Sequence, residues 1–313
     1  MTAINKNPIL VTSYVNPDLD GYSSTFAYTE FLKNKGRFVF AGVMGEPHEE
    51  VKYVIERFKI DGLKSIKNDQ AFKEVILVDA SDSKGLKGNI SPAKVIEIID
   101  HRKVNEAGQF KQAKVQIELV GAAATLVAEK FQQENVVPSK QSAIVLYSAI
   151  ISNTLNFQAT VTTARDRQMA SWLRQFIKVA DGYSKDLFFA KSDLAGDKLA
   201  VRIAGDSAWF ELGNKKIGIS QLEIIGAKGL LNNRSQEIVS ILNKIKTDLG
   251  LDLIFQNTID LEVGVSYFIT EDQPTQAILE KSLGVKFNGV VATANELIMR
   301  KQIVPLIKEE LER

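Results

Sequence analysis

The sequence contains no cysteine and only two histidines, His48 and His101, among its 313 residues. The absence of cysteine excludes disulfides, thiolate nucleophiles and thiolate metal sites. Two histidines cannot form a three-histidine zinc site within one chain. Any metal centre must therefore depend on carboxylates, which favours hard or borderline cations such as Mg²⁺ and Mn²⁺.

The chain also lacks an excess of charge of one sign and a long apolar run. It has 39 Lys and Arg residues against 38 Asp and Glu residues, which gives a formal net charge of +1. This balance offers no electrostatic reason to expect a nucleic acid or a membrane as partner. No apolar run approaches the ~20 residues of a membrane-spanning helix, and the start, MTAINKNPIL, lacks the apolar core of a secretory signal. We therefore expect a cytoplasmic protein.

Near-continuous apolar, β-branched segments alternate with helical patterns in the first half of the chain. The strand-like segments are ILVTSYV (9–15), RFVFAGV (37–43), EVILVDA (74–80) and KVIEIID (94–100). The helical patterns cover 21–35, 47–58, 122–133, 139–155 and 163–180. Strands buried on both faces and alternating with helices predict an α/β fold with a doubly wound, mainly parallel sheet.

The second half has shorter segments and predicts a smaller α/β domain with a mixed sheet. We expect strands at KLAVRIA, AWFELG, KKIGISQLEII, LDLIFQNTI and EVGVSYFIT, and a helix over 235–249. The pattern breaks between the halves, around FFAKSDLAGDK. We therefore predict an N-terminal domain over 1–189, a linker over 190–197 and a C-terminal domain over 198–313.

Polar side chains follow three of the predicted parallel strands, at the point where each strand ends. They are Asp18 and Asp20, Asp79 and Asp82, and Asp100 with His101. Ligands of open parallel sheets bind beyond the carboxyl ends of the strands. Because these ends meet at one edge of one sheet, the side chains are expected to converge there.

Each of these positions also has a purely structural interpretation. The tripeptide Asn16-Pro17-Asp18 is typical of a turn, and Asp20 is suited to capping a helix that starts near Gly21. Asp79 at a strand end is commonly a cap or a loop residue, and a single histidine is more often structural than a ligand. The convergence of these acidic positions with a histidine nevertheless favours a metal or phosphate site.

Seven motifs of the sequence resemble, in the same order, those of the manganese-dependent (family II) inorganic pyrophosphatases of the DHH phosphoesterase superfamily. They are NPDLD, LVDASD, IIDHRKVNE, ELVGAAAT, YSAIISNTLNF, FELGNKKIGISQL and MRKQIVPLI. The resemblance implies a DHH domain followed by a DHHA2-type domain, with a site in the cleft between them. It also implies a hydrolase that acts on acid anhydrides, a small phosphorylated substrate, and a homodimer formed through an edge strand of the N-terminal domain.

The resemblance further implies roles for individual residues. Asp20, Asp79 and His101 match the ligands of one metal, with Asp79 bridging to a second. Asp18 matches a ligand of that second metal. Asp100 matches the residue that orients the neighbouring histidine.

The chain departs from the family pattern at several of these positions. Tyr14 stands at the place of a histidine ligand, and Asn153 at the place of an aspartate ligand, both of the second metal. Arg102 replaces the second histidine of the DHH motif. Ala208 occupies the position of a phosphate-binding lysine, and Met299 that of an arginine.

These departures predict one divalent ion per chain, Mn²⁺ or Mg²⁺, at Asp20, Asp79 and His101. Arg300 and Lys301 remain as cations for the substrate phosphate, and Arg102 adds a rigid guanidinium for the same purpose.

Two functions agree with this pattern. One is a pyrophosphatase-like phosphohydrolase with weak or redirected activity. The other is a non-catalytic paralogue that binds a phosphorylated ligand or a protein partner. A nucleic-acid exonuclease or oligonucleotide phosphodiesterase of the wider superfamily is a third, weaker possibility. It is disfavoured because the chain has balanced charge and no basic, aromatic-rich stripe.

Overall fold

The computed structural model describes residues 7–312, which form two compact units, one ending at Leu187 and the next beginning at Phe188. The N-terminal unit contains β1 (Ile9–Thr12), α1 (Leu19–Asn34), β2 (Val39–Met44), α2 (Glu49–Phe58), β3 (Lys64–Ile66), β4 (Val75–Val78), α3 (Ser83–Leu86), β5 (Val95–Asp100), β6 (Lys114–Ile117), α4 (Ala123–Gln133), α5 (Lys140–Asn153) and α6 (Ala164–Leu173). Helix α7 (Tyr183–Lys191) contains the boundary.

The C-terminal unit contains α8 (Lys198–Gly205), β7 (Ser207–Leu212), β8 (Lys215–Ile224), α9 (Ala227–Leu249), β9 (Leu253–Asp260), β10 (Val265–Ile269), α10 (Gln273–Leu283), β11 (Phe287–Asn288), β12 (Val291–Ala294) and α11 (Arg300–Leu311). Within residues 7–312, no helix combines the length and the apolar content that crossing a membrane requires.

The N-terminal sheet has six strands in the order β3-β2-β1-β4-β5-β6, and every pair is parallel. Leu10 of β1 lies between Phe40 of β2 and Val75 of β4. The strand order therefore reverses its direction of growth between β1 and β4, which makes this pair the topological switch point of the sheet. The predicted doubly wound parallel sheet is confirmed.

The central strands of this sheet are buried on both faces, as their uninterrupted apolar sequences predict. Every residue of β4, VILV, is inaccessible to solvent, and so are Leu10 and Val11 of β1. Two-sided burial also explains why these strands show no alternation of polar and apolar residues.

The C-terminal sheet is mixed, as predicted, with the order β11-β12-β10-β9-β8-β7. Only β8 and β9 run parallel among the pairs of this sheet that the structure describes. Leu222 and Ile224 lie in the core that includes α8 and α9, whereas Ile219 and Phe255 lie in the core that includes α11. One sheet therefore separates two apolar cores.

The prediction that KLAVRIA forms a strand is wrong, because this segment forms helix α8. Leu199 and Ile203, four residues apart, are fully buried, whereas Val201 between them is 68% exposed. Residues at this spacing lie on one face of a helix. The β-branched residues of the segment favoured a strand prediction instead. The helix predicted to reach residue 180 also ends early, at Leu173.

Sequence patterns did not predict several elements, among them β3, β6, β11, β12, α3, α10 and α11. Strands β3 and β6 are edge strands of three and four residues with exposed or half-buried side chains, so they carry no apolar run. Helix α7 continues to Lys191, into the segment predicted as a linker. The linker over 190–197 stays a prediction.

A buried carboxylate, Asp166, holds the segment that leads into α4. Its oxygens accept hydrogen bonds from Gly121 N at 2.9 and 3.0 Å, from Thr125 Oγ1 at 2.6 Å, and from Thr163 N and Oγ1 at 2.7 Å each. A Cβ at Gly121 would lie 2.5 Å from a methyl carbon of Thr154, so only glycine permits this approach. Asp166 thereby fixes where α4 begins.

We expect Asp166→Ala to lower the free energy of unfolding by about 3 kcal/mol, because it leaves several buried donors without an acceptor. Urea unfolding followed by circular dichroism measures the change. Asp181→Ala, at an exposed position of the same unit, is the matched control and should change stability by no more than about 0.5 kcal/mol. Equal effects of the two substitutions would contradict this role of Asp166.

Candidate metal centre

Three neighbouring strands, β1, β4 and β5, bring the predicted ligands to one edge of the N-terminal sheet. Asp20 lies in the first turn of α1, after β1; Asp79 directly follows β4; and His101 directly follows β5. One potential ligand atom of each lies within 4.8 Å of those of the other two. The predicted group of three therefore assembles at the switch point between β1 and β4, where open α/β sheets bind ligands.

Asp20 is fully buried and faces the first turn of another helix, α4. Its Oδ2 accepts a hydrogen bond from Ala123 N at 2.7 Å, and its Oδ1 accepts one from Ala124 N at 2.8 Å. The N-cap residue of α4, Ala122, has no side-chain acceptor. Asp20 therefore supplies, from a distant part of the chain, the negative charge and the acceptors that a helix N-terminus needs.

Asp79 has a backbone conformation that is rare for residues other than glycine, with φ +54°. Its side chain is buried, and Oδ1 has no hydrogen-bond donor among the residues that the structure describes. Buried polar atoms without a donor are uncommon and indicate an ion, a water molecule or a functional role. This orphan oxygen is the observation that best fits a bound cation.

Gly21 lets α1 approach the ends of β1 and β4. A Cβ at this position would lie 2.9 Å from Ser13 Oγ and 3.4 Å from Asp79 Oδ2. The first contact is closer than real Cβ atoms allow. The small residue after Asp20 thus permits the two carboxylates to approach each other.

The imidazole of His101 is oriented by a backbone carbonyl. Its Nδ1 lies 2.9 Å from Val120 O, which directs Nε2 to the carboxylates, 3.4 Å from Asp79 Oδ1 and 3.6 Å from Asp20 Oδ2. Asp100 also holds His101, through the backbone of the histidine: Asp100 Oδ1 accepts a hydrogen bond from His101 N at 2.7 Å. The hydroxyl of Ser81 donates to the other oxygen of Asp100.

Electrostatics favour a cation among these groups. Burial raises the pKa of Asp20 well above its usual range, and the charge of Asp79 raises it further. Two adjacent buried carboxylates repel each other unless a positive charge lies between them. Two carboxylate oxygens and an imidazole nitrogen are also a ligand set that Mn²⁺ accepts. The described residues therefore fit a divalent ion.

Asp18 does not belong to this group of three. Its Oδ1 accepts from Asp20 N at 2.9 Å and from Gly21 N at 3.0 Å, so Asp18 is the N-cap of α1. The capping role considered for Asp20 on α1 therefore falls to Asp18 instead. Tyr14 supports this turn, since its hydroxyl oxygen accepts a hydrogen bond from Asp18 N at 3.1 Å.

Tyr14 is a neutral group in this place. Burial, together with the nearby charges of Asp18 and Asp79, raises the pKa of its phenol well above the usual value. The phenol therefore stays protonated at neutral pH and does not offer a negative oxygen to a metal.

The amide of Asn153, at the end of α5, donates from Nδ2 to Asp20 Oδ2 at 2.7 Å. Asn153 thus touches the predicted metal group through one of its ligands.

The preceding residue, Ser152, donates to Glu50 at 2.5 Å, and Glu50 also accepts from Leu19 N at 3.3 Å. Sequence reasoning missed the buried Glu50, because no motif marks it and its contacts join three distant segments.

Arg102 lies against the same edge, with its side chain 31% exposed. Its Nη2 donates to the backbone oxygen of Asp79 at 2.9 Å, and the guanidinium carbon lies 5.4 Å from the ring centre of Tyr14. Burial disfavours the charged form of Arg102, but the carboxylates of Asp100 and Asp79 raise its pKa above the usual value.

The remaining candidates lie in the C-terminal unit. Arg300, at the start of α11, donates to Asp206 O at 2.6 Å and Oδ1 at 2.8 Å, and its backbone N–H donates to Gln221 at 2.6 Å. Met299 before it is buried. Lys301 lies in the same first turn of α11. The position Ala208 lies in β7, opposite Ile219 of β8.

Comparison with known proteins agrees with the predicted fold and with manganese as the predicted metal. Residues 8–150 match the model of the DHH family, N-terminal domain, and residues 185–310 match that of the DHHA2 domain. The chain therefore has the domain composition of a DHH-family region followed by a DHHA2 region.

Within that class, the chain is similar over nearly its whole length to manganese-dependent inorganic pyrophosphatases. It is 28% identical to proteins named "Probable manganese-dependent inorganic pyrophosphatase" from Clostridium acetobutylicum (97% of this chain, 98% of that protein) and from Bacillus mycoides (96% and 98%). A Methanococcus jannaschii protein, solved as a candidate family II inorganic pyrophosphatase, is 26% identical with a TM-score of 0.83, over 97% of this chain and 99% of its own.

We expect Asp79→Asn to weaken Mn²⁺ binding by at least about 100-fold, because it removes the charge of the orphan carboxylate. Calorimetric titration of the metal-free protein measures the affinity. Asp61→Asn removes one exposed charge from the same unit and should leave the affinity unchanged. Unaltered binding in the Asp79 variant would contradict the assignment of this carboxylate as a ligand.

Proposed function

We propose that this protein is a divalent-metal-dependent phosphohydrolase that acts slowly on pyrophosphate or on a related small phosphoanhydride or phosphoester. The observation that supports it most is the group formed by Asp20, Asp79 and His101, in which Asp79 Oδ1 has no donor among the described residues. The names of the full-length relatives support the same chemistry and Mn²⁺ as the metal.

In this reaction, a water oxygen forms a bond to one phosphorus while the bond from that phosphorus to the bridging oxygen breaks. Asp20, Asp79 and His101 would hold the divalent ion, which would supply Lewis acidity toward the phosphate oxygens. Val120 O and Asp100 hold the histidine in position. The contact of Asn153 with Asp20 orients that carboxylate.

Slow turnover is expected because positive charge and metal ligands are scarce at the positions where the family pattern has them. Tyr14 and Asn153 are neutral and are hydrogen-bonded inside the protein. Ala208 and Met299 carry no charge. The guanidinium of Arg300 forms an ion pair with Asp206, which reduces the positive charge that it can offer to a substrate phosphate. Phosphoryl transfer depends on compensating the charge that develops on the phosphate oxygens.

A second candidate function is that of a non-catalytic protein that binds a phosphorylated ligand or a protein partner. The specific observation in its favour is that Tyr14 and Asn153 are integrated into the framework around Asp18 and Asp20. A site that has converted ligand positions into structural contacts can bind a metal and an anion without turning over a substrate.

A phosphate-release screen distinguishes the two functions. Pyrophosphate, polyphosphate, nucleotides and dinucleotides are incubated with the protein and Mn²⁺, and the Asp79→Asn variant serves as the blank. We expect pyrophosphate hydrolysis that depends on Asp79 and is at least about 100-fold slower than that of the Clostridium acetobutylicum relative assayed in parallel. Equal rates would contradict the predicted weakening. Release no greater than the blank, with pyrophosphate still raising the melting temperature, would support the non-catalytic function.

We also propose a homodimer formed through the N-terminal unit, with no nucleic acid as partner. The edge strand β6 exposes Val115, and Leu119 just beyond it is 62% exposed. Apolar side chains on a free strand edge favour pairing with another strand.

We expect light scattering to give twice the monomer mass for the unmodified protein. The double variant Val115→Lys with Leu119→Lys should give the mass of one monomer. Glu309→Lys, at an exposed position of the other unit, is the control, and an unchanged dimer in the double variant would contradict the use of this edge.

A further inference from the structure

We propose that the Arg102 guanidinium is a fixed cation of the carboxylate cluster and limits the cluster to one divalent metal ion. The proposal depends on the proposed metal site at Asp20, Asp79 and His101. It assigns to Arg102 a role inside the protein, in addition to any contact with substrate.

Three carboxylates from two segments, one after β4 and one at the end of β5, lie near the guanidinium. Nη2 lies 3.5 Å from Asp79 Oδ1, and Nη1 lies 3.6 Å from Asp82 Oδ2 and 3.9 Å from Asp100 Oδ2. These separations are longer than direct hydrogen bonds but close enough for strong attraction in a partly buried place. Three negative charges therefore face one positive charge that, unlike a metal ion, cannot dissociate.

Two contacts hold the guanidinium at this point. Its Nη2 donates to the backbone oxygen of Asp79 at 2.9 Å, and its carbon lies 5.4 Å from the centre of the Tyr14 ring. Tyr14 is itself anchored by the hydrogen bond from Asp18 N and by close packing on α3, where a Cβ at Gly85 would lie 3.2 Å from Tyr14 Cβ. The face of an aromatic ring attracts a guanidinium, so the ring of Tyr14 stabilises Arg102 in this position.

Asp79 connects this guanidinium to the metal group. Its Oδ1 lies 3.4 Å from His101 Nε2 and 3.5 Å from Arg102 Nη2. A divalent ion held by Asp20, Asp79 and His101 and the guanidinium would share this one carboxylate. A second divalent ion that approached Asp79 would also approach the permanent charge of Arg102, and like charges at such distances repel strongly in a partly buried site.

Counting bound metal tests the proposal without reference to turnover. Metal-free protein is titrated with Mn²⁺ in a calorimeter, and bound ions are counted independently by electron paramagnetic resonance. We expect one ion for the unmodified protein and one for Arg102→Lys, which keeps a positive charge. We expect two ions for Arg102→Gln, in which the carboxylates lose their cation.

Arg165→Gln is the matched control, because Arg165 also pairs with two carboxylates, Glu118 and Glu129. It should bind one ion. Tyr14→His, which adds an imidazole while Arg102 is kept, should also bind one ion and provides a test if Arg102→Gln does not fold. The double variant Tyr14→His with Arg102→Gln should bind two.

Each result has a definite meaning. One ion in a folded Arg102→Gln variant, or two ions in either the unmodified protein or Tyr14→His, would overturn the role of Arg102. In that case a single Asp79-dependent site would leave the proposed function intact. No bound Mn²⁺ in the unmodified protein would reject the metal site, and with it both proposals.

Discussion

The contact between the Asp20 carboxylate and the first turn of α4 is the interaction on which the rest of the site depends. Both carboxylate oxygens accept backbone N–H groups, from Ala123 and Ala124. A buried carboxylate needs such donors, and a helix whose N-cap residue, Ala122, has no side-chain acceptor needs such acceptors. One contact meets both needs and joins α1 to α4 next to the switch point of the sheet.

The position of α4 depends in turn on Asp166 and Gly121. Asp166 accepts hydrogen bonds from Gly121, before α4, and from Thr163, before α6, and Gly121 permits the close packing. The carbonyl of Val120, one residue earlier, faces the imidazole of His101. The segment before α4 therefore orients two of the three proposed metal ligands, one through backbone N–H groups and one through a carbonyl.

Charge compensation is the second constraint on this edge of the sheet. The carboxylates of Asp20 and Asp79 are buried beside each other; the imidazole of His101 lies near both, and the guanidinium of Arg102 lies near Asp79. Tyr14 and Asn153 add no charge, but both are hydrogen-bonded to the loop and carboxylates around the site. In the C-terminal unit, Arg300 is likewise bonded to Asp206. Three departures from the family pattern, Tyr14, Asn153 and Arg102, are therefore each hydrogen-bonded within the N-terminal unit.

The sequence by itself determined the fold class and the edge of the sheet at which the polar residues meet. Uninterrupted apolar strands alternating with helices imply parallel pairing with both faces covered, and parallel strands end at a common edge. Short edge strands such as β3, and the helix α8 with its β-branched residues, escaped prediction because their local patterns are weak or resemble those of another element.

Tertiary structure alone decided which atoms meet at that edge. The contacts of Asn153 with Asp20, of Val120 with His101 and of Arg102 with Tyr14 join residues 133, 19 and 88 positions apart in the sequence. Such pairings depend on how helices pack on the sheet and on where glycines allow close approach, which single residues do not encode. The sequence therefore located the candidate metal centre, and packing set its charge balance.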